Sequence, residues 1–548
     1  MKLKKCIALC LAGMMVVSMT ACDKKAEDKG VSSEIEQDMI DDDQTSKEEQ
    51  QVNDSEQSGE SAQNADVEEA KHSDMIHLTI GMVYEHEYSD TYSQSIAHAE
   101  YPVVKLEECC EEKYEALEAA IDDINENERA SVRNQYWELI DWAKEELSYG
   151  NDYFAMFELS ENVAVKRADA TVVSLLYDGY SYSGGVHGMN YYWSKNINAQ
   201  TGKVLLLSDV LNDVDLLPGM VRNEVEKHIS EDELFGYDGV EGAVIDAGES
   251  LTWVLGYNGL SVYFDPYAIG PYASGAHMVT LSYEEYPNLV KDEYKQIPLN
   301  YTIPFVEYVP CYYDVDYDGA LDKIEVWGNY DEYDTITNIT ISINGYRYNF
   351  ESWSYDLRPM LVHMNDGSNY LYIQTAMDND YREIDIYRLI GEDVESLGYI
   401  SCGYHSEYVD GEEYWGLEQV LTDPYQFKLD THTDLLSTSR AYKNYIINKN
   451  GVPASKDPYY FVSTPMRFTA KMPLPVELID KDTMESVGFT TIERGDVVTY
   501  QGTDNKNKGY LELSDGSIAE VLVNTDNWPR TINGIDIEEQ FDGMMWAG

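Results

Sequence analysis

The stretch Tyr180-Ser181-Tyr182-Ser183-Gly184-Gly185-Val186-His187-Gly188-Met189-Asn190 constrains the fold more than any other part of the chain. Before it, Thr171 to Tyr177 is an apolar, β-branched run that predicts a buried strand. After it, Tyr191 to Asn198 alternates with period two and runs into Ala199-Gln200-Thr201-Gly202-Lys203, a hairpin turn. Gly184 and Gly185 free the backbone for positive φ or for close approach by another group. His187 sits at the tip of this loop.

A second motif follows at a distance. Ser183 to Gly188, the Asn198-to-Lys203 turn and Leu207-Ser208-Asp209-Val210-Leu211 precede Tyr263-Phe264-Asp265-Pro266-Tyr267-Ala268-Ile269-Gly270-Pro271-Tyr272-Ala273-Ser274-Gly275. Together they resemble the paired bacterial extracytoplasmic domains DUF4163 and DUF3298, over residues 76–292. The resemblance names a fold and no reaction. Members of these families sit beside cell-wall deacetylase domains and in the outer parts of envelope-stress regulators, which implies a binding role at the wall. The candidate binding residues are Tyr180, Tyr182, His187 and Tyr191, with Tyr192 beside them. Alternation places Tyr180 and Tyr182 on one strand face, where rings can stack on sugar or protein. The alternative is that Gly184, Gly185 and His187 only shape a family-wide turn. His187 and His277 are likewise either a ligand or metal pair, or two residues that each hydrogen-bond a turn.

The chain has 548 residues, enough for two to four domains. Its 101 acidic and 38 basic residues give a formal charge of -63. Such a surface repels nucleic acid and anionic membrane and favours divalent cations and basic partners. Tyr outnumbers Phe by 46 to 11, which suits exposed sheets and carbohydrate-facing surfaces, or reflects compositional habit.

Met1-Lys2-Leu3-Lys4-Lys5 is a basic leader and Cys6 to Val17 an apolar segment too short to span a bilayer. Ser18-Met19-Thr20-Ala21-Cys22 resembles a lipobox, which implies that Cys22 is diacylated and becomes the mature N-terminus. An ordinary secretory signal with a chance Cys is the alternative. Removing residues 1–21 takes three lysines and no acid, so the mature charge is -66. The expected location is the extracellular face of the cytoplasmic membrane, held by lipid alone. Cys109 and Cys110 are adjacent, where a bridge is strained, and Cys311 and Cys402 are open to pairing.

Residues 22–75 are acidic and polar with no aromatic residue, and predict a disordered tether. Residues 76–292 predict an α+β unit, an antiparallel sheet with helices on one face. Leu78 to Tyr88 alternates as a strand. Tyr114, Leu117, Ile121 and Ile124 mark one helix, and a second runs from about Arg129 to Leu147. A third spans Leu216 to His228, and Glu231 to Gly248 reads as an acidic loop.

A β-rich domain is expected over 300–468. It opens on Asp314-Val315-Asp316-Tyr317-Asp318-Gly319-Ala320-Leu321-Asp322, which sets carboxylates at positions 1, 3 and 5 and Gly at 6, as Ca2+ loops do. The flanks read as strands, so the loop is similar to the calcium loops between strands of propeller-type repeats. Asp314, Asp316, Asp318 and Asp322 are then the ligands, because an extended chain carries Glu325 away. A degenerate acidic turn is the other reading. Ala376 to Tyr387 and Asp430 to Asp434 look like worn copies at a spacing of 55 to 65 residues, hinting at propeller-like repeats. Residues 470–548 resemble a small SH3-like barrel, or form a β-cap.

No nucleophile elbow, zinc-binding helix or phosphate loop occurs. The expectation is a non-catalytic surface lipoprotein that binds peptidoglycan or a basic secreted protein, with no nucleic-acid partner. The competing reading is an enzyme that modifies wall glycan through acids not identifiable in sequence.

Overall fold

The computed structural model describes residues 75–89, 95–149, 155–378, 381–407, 415–481 and 483–546. The leader, Cys22 and the acidic tether lie outside the described residues.

The first sheet is built from β1 (Leu78–Tyr88), β2 (Ser95–Leu106), β3 (Phe157–Ala168), β4 (Val172–Tyr182) and β5 (Met189–Asn198). All pairs are antiparallel except β2 with β3, which run parallel through Ala97–Glu100 and Phe157–Ser160. A parallel pair needs a long crossover. Here it is a 34-residue helix, Glu115–Ser148, laid across one face. Two helices were expected from the sequence, and one is found. Its buried residues form a single stripe through Leu117, Ile121, Ile124, Val132, Tyr136, Leu139 and Ala143. Glu128 stands on that stripe where an apolar residue is due, and the polar run around it reads as a break. No Pro or Gly is present to end the helix. Asn125, beside the apparent gap, exchanges two side-chain hydrogen bonds with the backbone of Val104, at 3.1 and 2.7 Å.

A three-stranded sheet, β6 (Thr252–Leu255), β7 (Gly259–Phe264) and β8 (His277–Ser282), packs on the opposite side of β4 and β5. Buried Asn196 joins the two sheets: its amide donates to Trp253 O at 2.8 Å and its carbonyl accepts from Leu255 N at 3.0 Å. Helices Leu217–His228 and Asp238–Ala247 cover this small sheet through Val221, Val225, Val240 and Val244. The segment read as an acidic loop therefore contains a helix. Val240 and Val244 supply an i, i+4 pair, which the surrounding Gly and acid residues mask.

Beyond Tyr301 the chain is largely β; among the described residues its one helix there is the short Ile537–Gln540. The strand β9 (Tyr301–Pro304) comes first. A meander, β10 (Cys311–Tyr313), β11 (Asp322–Tyr330), β12 (Ile336–Ile343) and β13 (Tyr346–Ser354), follows it. A second meander is β14 (Asp356–His363), β15 (Asn369–Ala376), β16 (Arg382–Ile390) and β17 (Asp393–Ile400), with β9 added at the β14 edge. The two meanders share one core, in which Ile324, Val326, Ile341 and Ile343 meet Leu361, Leu371 and Ile373. Cys311 and Cys402 lie in different cores and form no disulfide with each other, and neither do Cys109 and Cys110.

After β18 (Gly403–Tyr404) the chain returns to the first sheet. β19 (Ser406–Glu407) and β20 (Trp415–Gln419) extend it beyond β1, giving the order β19-β20-β1-β2-β3-β4-β5. The segment 300–468 is thus interleaved with 76–292 rather than strung behind it. Residues 403–542 contribute a large antiparallel sheet whose strand Tyr460–Ala470 runs across position 468. Its strand pairing forms no closed barrel among the described residues. Asp430, in the supposed third acidic loop, is fully buried in the strand Phe427–Thr433 and ion-paired to Arg440 at 2.7 Å. No helix among the described residues is long and apolar enough to cross a membrane.

Candidate functional site

Alternation along the first sheet decides what each face carries. Val83, Ala99, Leu159 and Tyr177 pack toward the long helix, so their neighbours in sequence point the other way. Cross-strand register then aligns Tyr84, Glu100, Ser160, Tyr180 and Asn190 in one row over β1 to β5. Asn162, Asp178 and Tyr192 align in the next. These rows floor a cleft of about 680 Å³. Its walls come from Pro304–Glu307, Asp356–Met360 and the returning segment around Glu418, with Arg382 and Tyr404. The cleft exists because β20 rejoins the first sheet and β9 passes β3.

Two arginines and two acids of the cleft wall pair with one another, while Glu307 and Asp178 have no basic partner in the lining. Arg358 Nε donates to Asp356 at 2.7 Å and its Nη1 to Glu418 Oε1. Arg382 Nη1 contacts the other Glu418 oxygen at 3.3 Å. Burial pushes the Asp178 carboxyl up to about 6, against the pull of the Lys166 ammonium. Burial also raises Glu307, opposed by hydrogen bonds from Gly328 N–H at 2.7 Å and the Tyr330 hydroxyl at 2.9 Å. Apart from the Asp178 carboxyl, the floor is aromatic, amide and hydroxyl surface. Such a surface recognises neutral polar ligands by stacking and hydrogen bonding.

The residues singled out in the sequence divide. Tyr180 lies on the floor. Tyr182 closes over the loop, its ring edge-on to Phe157 and its hydroxyl donating to Gly185 O at 3.2 Å. Tyr191 turns to the helix side, away from the cleft, and donates to Glu161 at 2.6 Å. His187 stacks on Tyr272 with ring centroids 3.9 Å apart, and its Nδ1 meets Gly188 O at 2.9 Å. Tyr272 donates to the same carbonyl at 3.0 Å, so the glycine loop and the second motif clasp each other. His277 Nε2 contacts Ser274 Oγ at 3.2 Å within its own turn. Tyr84, Asn162, Asp178 and the Arg358–Glu418 wall had no local sequence signal, because pairing between distant strands brings them together.

The acidic loop stands apart from the cleft lining. Asp314, Asp316 and Asp322 each bring a carboxylate oxygen within 4.8 Å of the other two. Asp318 is outside this group and accepts from Ala320 N–H at 2.8 Å instead. Glu325 points along β11 and pairs with Lys323 at 3.0 Å. Asp322 is fixed by Val315 N–H at 2.8 Å and by the Asn344 amide at 2.7 Å. Its carboxyl is raised by burial, and the neighbouring Asp316 and Asp314 raise it further. Asp314 Oδ1 is buried and receives no hydrogen bond.

Residues 207–284 match the family DUF3298, a protein family of unknown function. The match takes in Leu207–Leu211 and the Tyr263–Gly275 motif and stops short of the glycine loop. Among solved structures, the chain is similar to a DUF3298-family protein from Bacteroides fragilis. That match has 14% identity and a TM-score of 0.32, and covers 40% of this chain and 96% of the other. A DUF3298-family protein from Pseudomonas aeruginosa gives 13% identity and a TM-score of 0.29, with 41% and 99% covered. A comparison with functionally curated proteins gave no match.

Proposed function

We propose that this chain is a lipid-anchored binding protein at the outer face of the cytoplasmic membrane. Its cleft takes a neutral, hydroxyl-rich polymer of the wall, with the glycan of peptidoglycan the best chemical fit. The observation that carries this reading is the cleft floor: Tyr84, Tyr180 and Tyr192 among Ser160, Asn162 and Asn190, beneath a wall whose two arginines are held by Asp356 and Glu418. Rings stack on sugar faces while amides and hydroxyls bond sugar hydroxyls. The DUF4163 resemblance over the sheet that supplies this floor supports the same assignment. Incubation of the purified chain with peptidoglycan tests it. Retention without released product is expected, and a Tyr180→Ala/Tyr192→Ala double variant that still melts cooperatively loses it. Undiminished retention in that variant removes the cleft from consideration. Retention that weakens steeply with salt points to a basic secreted protein as the partner.

Asp178 supports a second reading. A carboxyl near 6 at the floor of a cleft is able to give or take a proton at neutral pH, as a wall-glycan-modifying enzyme requires. Release of sugar or acetate by the wild type and its loss in Asp178→Asn decide for the enzyme.

The Asp314 loop fits Ca2+: three oxygens converge, and one is buried with no donor to satisfy it. Cys22 is the proposed lipid attachment point. Equal labelling of wild type and Cys22→Ala by a fatty-acid analogue rejects it.

A further inference from the structure

The register of β1 and β2 sets His86 directly opposite His98. Both side chains project from the helix-free face, one row beyond Tyr84. Their Nδ1 atoms lie 3.2 Å apart and their ring centroids 4.4 Å apart. Two imidazole nitrogens bound at ~2.0–2.1 Å to one tetrahedral ion are separated by about 3.3 Å. The pair already has that spacing.

The surroundings suit a ligand role. The far nitrogen of His98, Nε2, faces Glu100 Oε2 at 3.5 Å. The other Glu100 oxygen accepts from Ser160 Oγ, which fixes the carboxylate. A carboxylate on Nε2 favours the Nε2–H tautomer, so His98 Nδ1 accepts and His86 Nδ1–H donates in the 3.2 Å contact; a bound ion takes the place of that one proton, which leaves to solvent or moves to His86 Nε2. Glu158 follows His98 in the same cross-strand row and adds negative charge. The His86 ring is exposed, so the open side of the pair is reachable from solvent.

We propose that His86 and His98 chelate a divalent first-row transition ion, Zn2+, Cu2+ or Ni2+, through their Nδ1 atoms, with Glu100 positioning His98 and water completing the sphere. Imidazole suits these ions, whereas Ca2+ and Mg2+ require oxygen ligands. This site and the acidic loop therefore select different metals.

The test uses the untagged full-length chain and Zn2+, titrated calorimetrically in excess Ca2+ so that the acidic loop does not compete. One Zn2+ per chain is expected. His86→Gln and His98→Gln each abolish that binding while leaving the melting temperature unchanged, because the His86 side is open to solvent. Glu100→Gln weakens it roughly tenfold or more, the usual effect of losing the carboxylate that orients a metal-bound histidine. With Cu2+, electron paramagnetic resonance should show coupling to two nitrogens, falling to one in either histidine variant. No Zn2+ uptake in excess Ca2+, or uptake unchanged in both variants, overturns the proposal.

Discussion

Glu128 on the long helix faces Glu161 on β3 across the helix–sheet interface, carboxyl toward carboxyl. Glu161 is 2% exposed; its Oε1 accepts from Tyr191, and its Oε2 is buried with no hydrogen-bond partner. Two carboxylates do not share such a site unless one keeps its proton. Burial, with Glu161 beside it, pushes the Glu128 carboxyl up to about 9. A proton kept on Glu128 would relieve both the repulsion and the unsatisfied oxygen.

A pH dependence follows from this pair. The folded value is above the ordinary 4.5, so the folded chain binds more protons than the unfolded one between about 4.5 and 9. The pair's contribution is whole below that window and is lost as pH rises through it. Glu128→Gln, whose amide donates at every pH, should melt with a flatter pH profile. At pH 8 it should match or exceed wild type by about 1–3 kcal/mol. Parallel profiles for the two proteins would refute a shared proton.

Calcium removal should be read on the whole chain, since β20 pairs with β1 and a fragment from 304 to 468 would tear the first sheet. Chelator is expected to lower the melting temperature; an ion at ~100 times its Kd contributes about 2.7 kcal/mol. Asp316→Ala should abolish the response. Asp318→Asn should keep it, because that carboxylate is outside the converging group. Loss of the response in Asp318→Asn alone would reassign the ligands.

The turn after β5 makes a steric prediction. Gly202 has φ of 67°, and a Cβ there would fall 2.0 Å from Ala116 O on the long helix. Gly202→Ala should cost the left-handed backbone penalty of about 1–2 kcal/mol plus the displacement of the helix start. Gly185→Ala, at φ of 96° with open space around its Cβ, should cost less. Thermal denaturation of the two variants checks the order.

Arg167 is fully buried in β3. It donates to Asp169 at 2.7 Å, to Tyr294 O at 2.7 Å and to Gln296 O at 2.9 Å. Arg167→Met strands the Asp169 charge and two carbonyls, and should cost about 3–5 kcal/mol. An unaltered denaturant midpoint would mean that water replaces the guanidinium.

Much of this fold was legible because its signals are local. The strands around the glycine loop, the separate apolar stretches Leu117–Ile124 and Val132–Ala143, and the Asp314 turn each declare themselves within about a dozen residues. Glu128 misled for the reason that makes it interesting: a buried acid on an apolar stripe looks like a helix end. Period two separates Tyr191 from Tyr192 onto opposite faces, yet proximity to the loop made both look like binding residues. The cleft itself was not legible. Tyr84 and Glu418 are more than three hundred residues apart, and the β1–β20 pairing that joins them leaves no trace in either segment alone.

That late-arriving strand has a kinetic corollary. β1 is complete soon after the first sheet begins, but its outer neighbour lies some 330 residues downstream. At ~5–20 residues per second of synthesis, that is roughly 15–65 s of chain growth. Until then β1 exposes unpaired N–H and C=O groups, the template on which chains aggregate or swap strands. Cleavage in the connection ahead of β20 would expose the same edge again. The intact chain is its own edge protector, and a cell that clips it would release an adhesive sheet rather than two tidy halves.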